Sequence, residues 1–219
     1  VDQRRRGGRR GGTAGCGGVS LGWILSVVVI LAGCGPEDPE GPAEPLTHDE
    51  ESIRDARGNP LFHLDDLPAD VAVSDGASFG TSGTISGVAG AAGTGRIAFT
   101  TVGTAHGYGW LLEVDGENGP DLAVFQYGGQ VELVGWDESG RFVAFRVETP
   151  AGSSELRIAD AQAEGAYPDD RMSWVGLPEA EGLPPEERVY RDAQWEAATL
   201  CFTFGGKRHC VSPEAPEGR

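Results

Sequence analysis

Trp136-Asp137-Glu138-Ser139-Gly140-Arg141-Phe142-Val143-Ala144-Phe145 is the stretch whose reading decides the fold. A polar turn ending in glycine leads into aromatic and β-branched residues, which suit a pleated, half-buried surface better than a helix. A related unit, Gly95-Arg96-Ile97-Ala98-Phe99, stands 45 residues earlier, with one residue inserted in the later copy. Each copy runs into a further strand that ends in aspartate, Asp115 in the first and Asp160 in the second. A repeat of this length marks a supersecondary unit that buries its apolar faces against its neighbours.

Outward from this stretch the same texture continues. Short apolar runs at 96–102, 110–114, 122–125, 131–134, 142–147 and 156–159 are separated by Gly, Asn, Asp or Pro, which is the punctuation of an all-β chain. Gly128-Gly129 and Gly205-Gly206 each read as a tight hairpin. The Gly-rich tract from Ser74 to Gly95 cannot make a good helix and reads as a loop or an edge strand around Ile85 and Val88.

The segment from Trp136 to Asp160 resembles the repeat of TolB-type β-propellers, in which Trp-Ser-Pro-Asp-Gly leads into an apolar strand. Here Ser139 stands in the aspartate position and no proline precedes it. Trp195 to Phe204 is a poorer third echo. The resemblance implies that Trp and Phe side chains pack between blades. A closed propeller needs at least four blades, and Pro60 to Val211 supplies two or three at this period. The expected architecture is therefore all-β, with antiparallel meander sheets in an incomplete or propeller-like blade arrangement. A β-sandwich is the alternative.

Around Gly205-Gly206 the ladder can be counted outward. Phe204 faces Lys207, Thr203 faces Arg208, Phe202 faces His209 and Cys201 faces Cys210. The alternation of an antiparallel pair makes the last a non-hydrogen-bonded pair with Cα atoms about 4.5 Å apart, at the near edge of what a disulfide tolerates. A Cys201–Cys210 bridge is expected in an oxidising compartment.

At the other end, arginines at 4, 5, 6, 9 and 10 precede the fourteen-residue apolar run from Val19 to Ala32, followed by Gly33 and Cys34. As a helix the run would reach about 21 Å, short of a bilayer core of roughly 30 Å. That is the make-up of a secretory signal. Leu31-Ala32-Gly33-Cys34 resembles the lipobox of bacterial lipoprotein precursors, and the resemblance implies cleavage before Cys34 and lipidation of its thiol. Several acyl chains on one residue would make a stable tether to the membrane. Gly35 after the lipidated cysteine implies, by the family's sorting pattern, the outer membrane of a two-membrane host.

The expected organisation follows from this. Residues 1–33 are a cleaved signal. Residues 34–60 hold the lipid site, an acidic spacer with Pro36, Pro39, Pro42 and Pro45 at polyproline spacing, and a short helix from about 48 to 57 opened by a Thr47 to Glu50 capping box. Residues 61–212 form the β-rich domain, and 213–219 a disordered tail. Five of the 17 Lys+Arg and one of the 34 Asp+Glu lie before Cys34, leaving 12 against 33, a net charge of −21. Such a field disfavours nucleic acid and anionic lipid headgroups.

Motifs for chemistry are thin. Gly76-Ala77-Ser78-Phe79-Gly80 matches Gly-x-Ser-x-Gly, but a nucleophile elbow needs a helix after the serine, and a glycine-rich tract follows. Ser78 with His209 or His106 as base is therefore not expected to form a catalytic pair. His48, His63, His106 and His209 are scattered and show no transition-metal spacing. Asp115, Glu117 and Asp121 alternate as calcium ligands do, but the glycine is misplaced and Gln126 stands where an EF-hand places glutamate, so a polar turn is the simpler reading. Trp110, Trp136, Trp174 and Trp195 are expected to pack in the core rather than to line a binding face. No cofactor is implied. The leading expectation is a lipid-anchored envelope protein whose β-rich domain binds or scaffolds another envelope protein or polymer. The alternative is an envelope hydrolase working through a carboxylate pair.

Overall fold

The computed structural model describes residues 45–175, 183–184 and 187–213. The leader, Cys34 and nearly all of the spacer lie outside them, as do residues 214–219.

The chain is all-β and every sheet is antiparallel. The first sheet pairs β1 (Thr47–His48), β2 (Ser52–Arg54) and β3 (Pro60–His63) in sequence order. A hairpin follows, β4 (Asp70–Ser74) with β5 (Ala77–Gly80). The first four-stranded meander runs β6 (Thr84–Ala91), β7 (Arg96–Val102), β8 (His106–Glu113) and β9 (Asp121–Tyr127). The second runs β10 (Gln130–Trp136), β11 (Phe142–Glu148), β12 (Ser154–Asp160) and β13 (Met172–Trp174), with α1 (Pro168–Arg171) before its last strand. A three-stranded sheet of β14 (Arg191–Glu196), β15 (Thr199–Phe204) and β16 (Lys207–Val211) ends the described fold.

The two copies of the repeat fall on equivalent strands, β7–β8 and β11–β12, and the third echo falls on β14–β15. Successive sheets share cores because alternate residues of a strand face opposite ways. On β7, Ile97 and Phe99 join Ile53, Phe62 and Trp110 in one core, whereas Ala98 belongs to the next. On β11, Val143, Phe145 and Val147 face that second core, whereas Phe142 and Ala144 join Leu200, Phe202 and Phe204 in a third. Burying each such phenylalanine contributes about 2–3 kcal/mol. The tryptophan expected between blades does lie between sheets: Trp136 Nε1–H donates to the Ala89 carbonyl at 3.0 Å, and Trp195 Nε1–H to the Gly135 carbonyl at 2.8 Å.

Two local expectations fail. Residues 48–57 are strand and turn, not helix. The Asp49 carboxylate accepts from the N–H groups of Glu51 and Ser52, at 2.9 and 2.7 Å, and holds a turn. Ile53 then pairs with Phe62, and both are buried. With Ile53 and Ala56 as its main apolar residues, a short helix could not match that burial. The first described strand therefore begins at Thr47. Nor is Gly128-Gly129 a hairpin turn: β9 and β10 lie in different sheets, and the segment carries the chain from one meander to the next, with the Gly128 N–H donating to the Ala105 carbonyl at 2.9 Å.

Candidate contact surface

The sequence-predicted residues divide sharply. Cys201 and Cys210 stand in the expected register, with Phe202 opposite His209 and Cα atoms of the cysteines 4.1 Å apart, joined as a disulfide. Gly205 and Gly206 both have positive φ, 56° and 73°, as the tightest hairpin turn demands. Cys201 is buried and Cys210 exposed.

Ser78 lies on β5 in a hairpin, with no helix after it, and its hydroxyl donates to Asp70 Oδ1 at 3.0 Å. His106 packs on the ring of Phe79, the next residue, whose side chain leaves the strand on the opposite face, and His209 stacks on Phe202 in the last sheet. No nucleophile and base are assembled there. Asp115, Glu117 and Asp121 occupy the loop between β8 and β9 and the first residue of β9, where Asp121 pairs with Arg171 at 3.1 Å. Among the described residues no three His, Cys, Asp or Glu side chains converge as a metal site would require. Of the four weighed tryptophans, Trp110 is fully buried and Trp136 and Trp195 are half-buried between sheets. Trp174 is 55% exposed, contrary to the core expectation, because β13 is an edge strand.

The feature the sequence did not disclose is an aromatic cluster assembled from three strands. Phe79 of β5 stacks on Phe125 of β9 with centroids 4.7 Å apart and meets His106 of β8 at 5.1 Å. His106 lies 4.8 Å from Tyr127, which is 64% exposed. Beneath them Tyr108 is buried, its hydroxyl donating to the Gly80 carbonyl at 2.6 Å, and burial pushes its pKa up. Alternation along β8 and β9 was the available signal, since 106 and 108, and 125 and 127, each share a face. Their convergence with Phe79 is a long-range contact.

One buried guanidinium joins this cluster to Trp174. Arg157 on β12 donates from Nη1 to the Phe125 carbonyl at 2.8 Å and from Nη2 to Gln126 Oε1 at 3.0 Å. It also pairs with Glu155 at 2.9 Å and lies 4.2 Å from the centre of the Trp174 ring. Tyr127 and Trp174, the two exposed large hydrophobics among the described residues, are thus carried by neighbouring sheets that Arg157 ties together.

No family model and no curated protein matches the chain. Among solved structures, TolB from Acinetobacter baumannii is similar with a TM-score of 0.27 and 13% identity, over 80% of this chain and 62% of that one. The chain thus spans less than two thirds of that protein, and a likeness this weak has no bearing on its function.

Proposed function

We propose that the protein is a binding or scaffolding module of the bacterial cell envelope, tethered through lipid on Cys34 and making contact through the surface around Tyr127 and Trp174. The observation that carries the contact role is the coupling of these two exposed aromatic side chains through Arg157. Rigid aromatic side chains held beside a fixed guanidinium lose little conformational entropy on binding, and such residues dominate interface energetics. The hydrolase alternative finds less support: Asp137 is the buried carboxylate among the described residues, and it is occupied by its own turn.

The tether is supported by the lipobox-like Leu31 to Cys34, and export by the expected signal ahead of it. In a bacterium that processes lipoproteins, the full chain is expected in the membrane fraction and the Cys34→Ala variant in the soluble fraction. Unchanged membrane association of the variant would defeat the tether. A photo-cross-linking residue at Tyr127 is expected to give discrete adducts with an envelope protein or polymer in intact cells, and one at the exposed Glu138 none. Equal yields from the two positions would defeat the contact surface.

A further inference from the structure

A cavity of about 110 Å³ opens between the first four-stranded sheet and the second, lined by Arg96, Glu113, Asn118, Asp121, Trp136 and Arg171 among others. It occupies the region where the sequence offered a calcium loop, yet its inner wall carries two guanidinium groups. The side chains of Arg96 and Arg171 are only 23% and 13% exposed, whereas those of Glu113 and Asp121 are 67% and 65% exposed. Positive charge thus sits deep and negative charge sits at the rim.

The internal repeat supplies a reference for Arg96. At the same end of the second meander Arg141 is locked to Asp160, with Nε and Nη2 reaching the carboxylate at 2.8–3.2 Å. By register Arg96, opposite Glu113, stands where Phe142 stands opposite Asp160, so Glu113 is the carboxylate equivalent to Asp160. Arg96 makes two contacts at the outer limit of hydrogen bonding, 3.4 Å to Glu113 Oε1 and 3.4 Å to the Gly140 carbonyl. Arg171 binds Asp121 and the Gly165 carbonyl, but its Nε–H is buried without a partner among the described residues. Leaving such a donor unsatisfied is costly. The carboxylate at this position is therefore clamped in the second meander and only loosely held in the first, where a second arginine lines the same cavity.

We propose that this cavity binds a small zwitterion, an α-amino acid or short peptide, with its carboxylate on Arg96 and Arg171 and its ammonium group at the rim of Glu113, Glu117 and Asp121. Guanidinium pairs recognise carboxylates through charge-assisted hydrogen bonds. A purely anionic ligand would be repelled by the three rim carboxylates, and a purely cationic one by the two arginines. The volume admits about ten heavy atoms or fewer, which favours a ligand of the size of one or two residues. The Trp136 indole lines the cavity and provides a reporter.

The test uses the full chain and three probes: diglycine, N-acetylglycine, which lacks the ammonium, and glycinamide, which lacks the carboxylate. Diglycine is expected to move the Trp136 indole N–H resonance saturably, with a Kd of about 1 mM. The two blocked probes are expected to bind at least about tenfold more weakly. Arg96→Gln should weaken diglycine about tenfold, and Arg146→Gln, outside this cavity, should leave it unchanged. The ranking of the three probes on the unmodified protein needs no variant to fold. Absence of a saturable shift with diglycine to about 10 mM, equal binding of N-acetylglycine or glycinamide, or unchanged affinity of Arg96→Gln would each overturn the proposal. None of these results bears on the Tyr127 surface, which lies on other residues.

Discussion

The two four-stranded meanders, residues 84–127 and 130–174, follow one plan and are closed in different ways. Each begins after a glycine pressed against the carbonyl that ends the neighbouring strand: a Cβ on Gly83 would lie 2.5 Å from Val102 O, and one on Gly129 1.9 Å from Glu148 O. Each first strand carries a bulge, between Ile85 and Gly87 in one and between Leu133 and Gly135 in the other. The turns that follow diverge. In the second meander the buried Asp137 carboxylate accepts from Ser139, from the Arg141 N–H at 3.1 Å and from the Phe142 N–H at 2.8 Å, and Arg141 is then clamped to Asp160. In the first, Thr94 replaces this network with one hydroxyl that donates to the Ala91 carbonyl and accepts from the Arg96 N–H. The strands are held from both faces in each case, so the turn chemistry is free to vary. The looser copy is the one that leaves an arginine facing a cavity.

The shared and divergent parts of this plan can be separated by measurement. Gly129→Ala is expected to have the largest effect, a loss above about 4 kcal/mol in urea unfolding, because the added methyl meets backbone and not a flexible side chain. Gly83→Ala should follow the same direction with a smaller loss, and a silent Gly129→Ala would break the shared plan at its root. Asp137→Ala should cost about 2–3 kcal/mol, since it strands the buried Phe142 N–H, whereas Thr94→Ala should cost less than about 1 kcal/mol. Equal losses would remove the contrast between the two turns.

Two tyrosines sharpen the comparison between the cores on either side. Tyr108→Phe is expected to lose about 1 kcal/mol, because its hydroxyl bonds the Gly80 carbonyl, while Tyr190→Phe is expected to gain up to about 1 kcal/mol, because its buried hydroxyl has no partner among the described residues. Burial, with Glu155 adding to it, pushes Tyr190 up to about 12. An acid raised in the folded state stabilises below its unfolded pKa, so that contribution should be complete below about pH 10 and decline toward pH 12. The Phe variant should lack that decline in an alkaline unfolding series.

The smallest effect is expected at Asp160. Partial burial raises its pKa, but the Arg141 hydrogen bonds and charges outweigh this and hold the carboxyl below the usual range. Its contribution is therefore present above about pH 4 and lost as pH falls through the lowered folded value. Asp160→Asn should cost about 0.5–1 kcal/mol at neutral pH, while Glu113→Gln, at the looser pair in the first meander, should be neutral within about 0.5 kcal/mol.

Several features are legible in the sequence alone. The strands of both repeats and the 201 to 210 register follow from local rules, because side chains alternate every second residue and a two-residue glycine turn sets the pairing, and the structure takes the edge-strand reading of the tract around Ile85 and Val88 over the loop. The helix at 48–57 was misread because a capping pattern is local, whereas the burial of Ile53 against Phe62 is settled by a partner several residues away. Gly128-Gly129 has the composition of a hairpin, but the turn residues do not say which sheet the next strand joins. Alternation places His106 with Tyr108 and Phe125 with Tyr127, but no local pattern brings Phe79 to them, since the cluster's members come from a hairpin and two later strands.

Composition and period-two patterning by themselves determined that this chain is β-built and acidic, that it holds two related units in succession and that its two late cysteines face each other, for these depend on neighbours along the strand and its turn. Only the tertiary structure decided that the sheets share three cores, that Arg157 joins the two exposed aromatic residues, and that Arg96 meets Arg171 across a cavity. Those outcomes depend on which faces come together at distances in sequence where no local pattern constrains the choice.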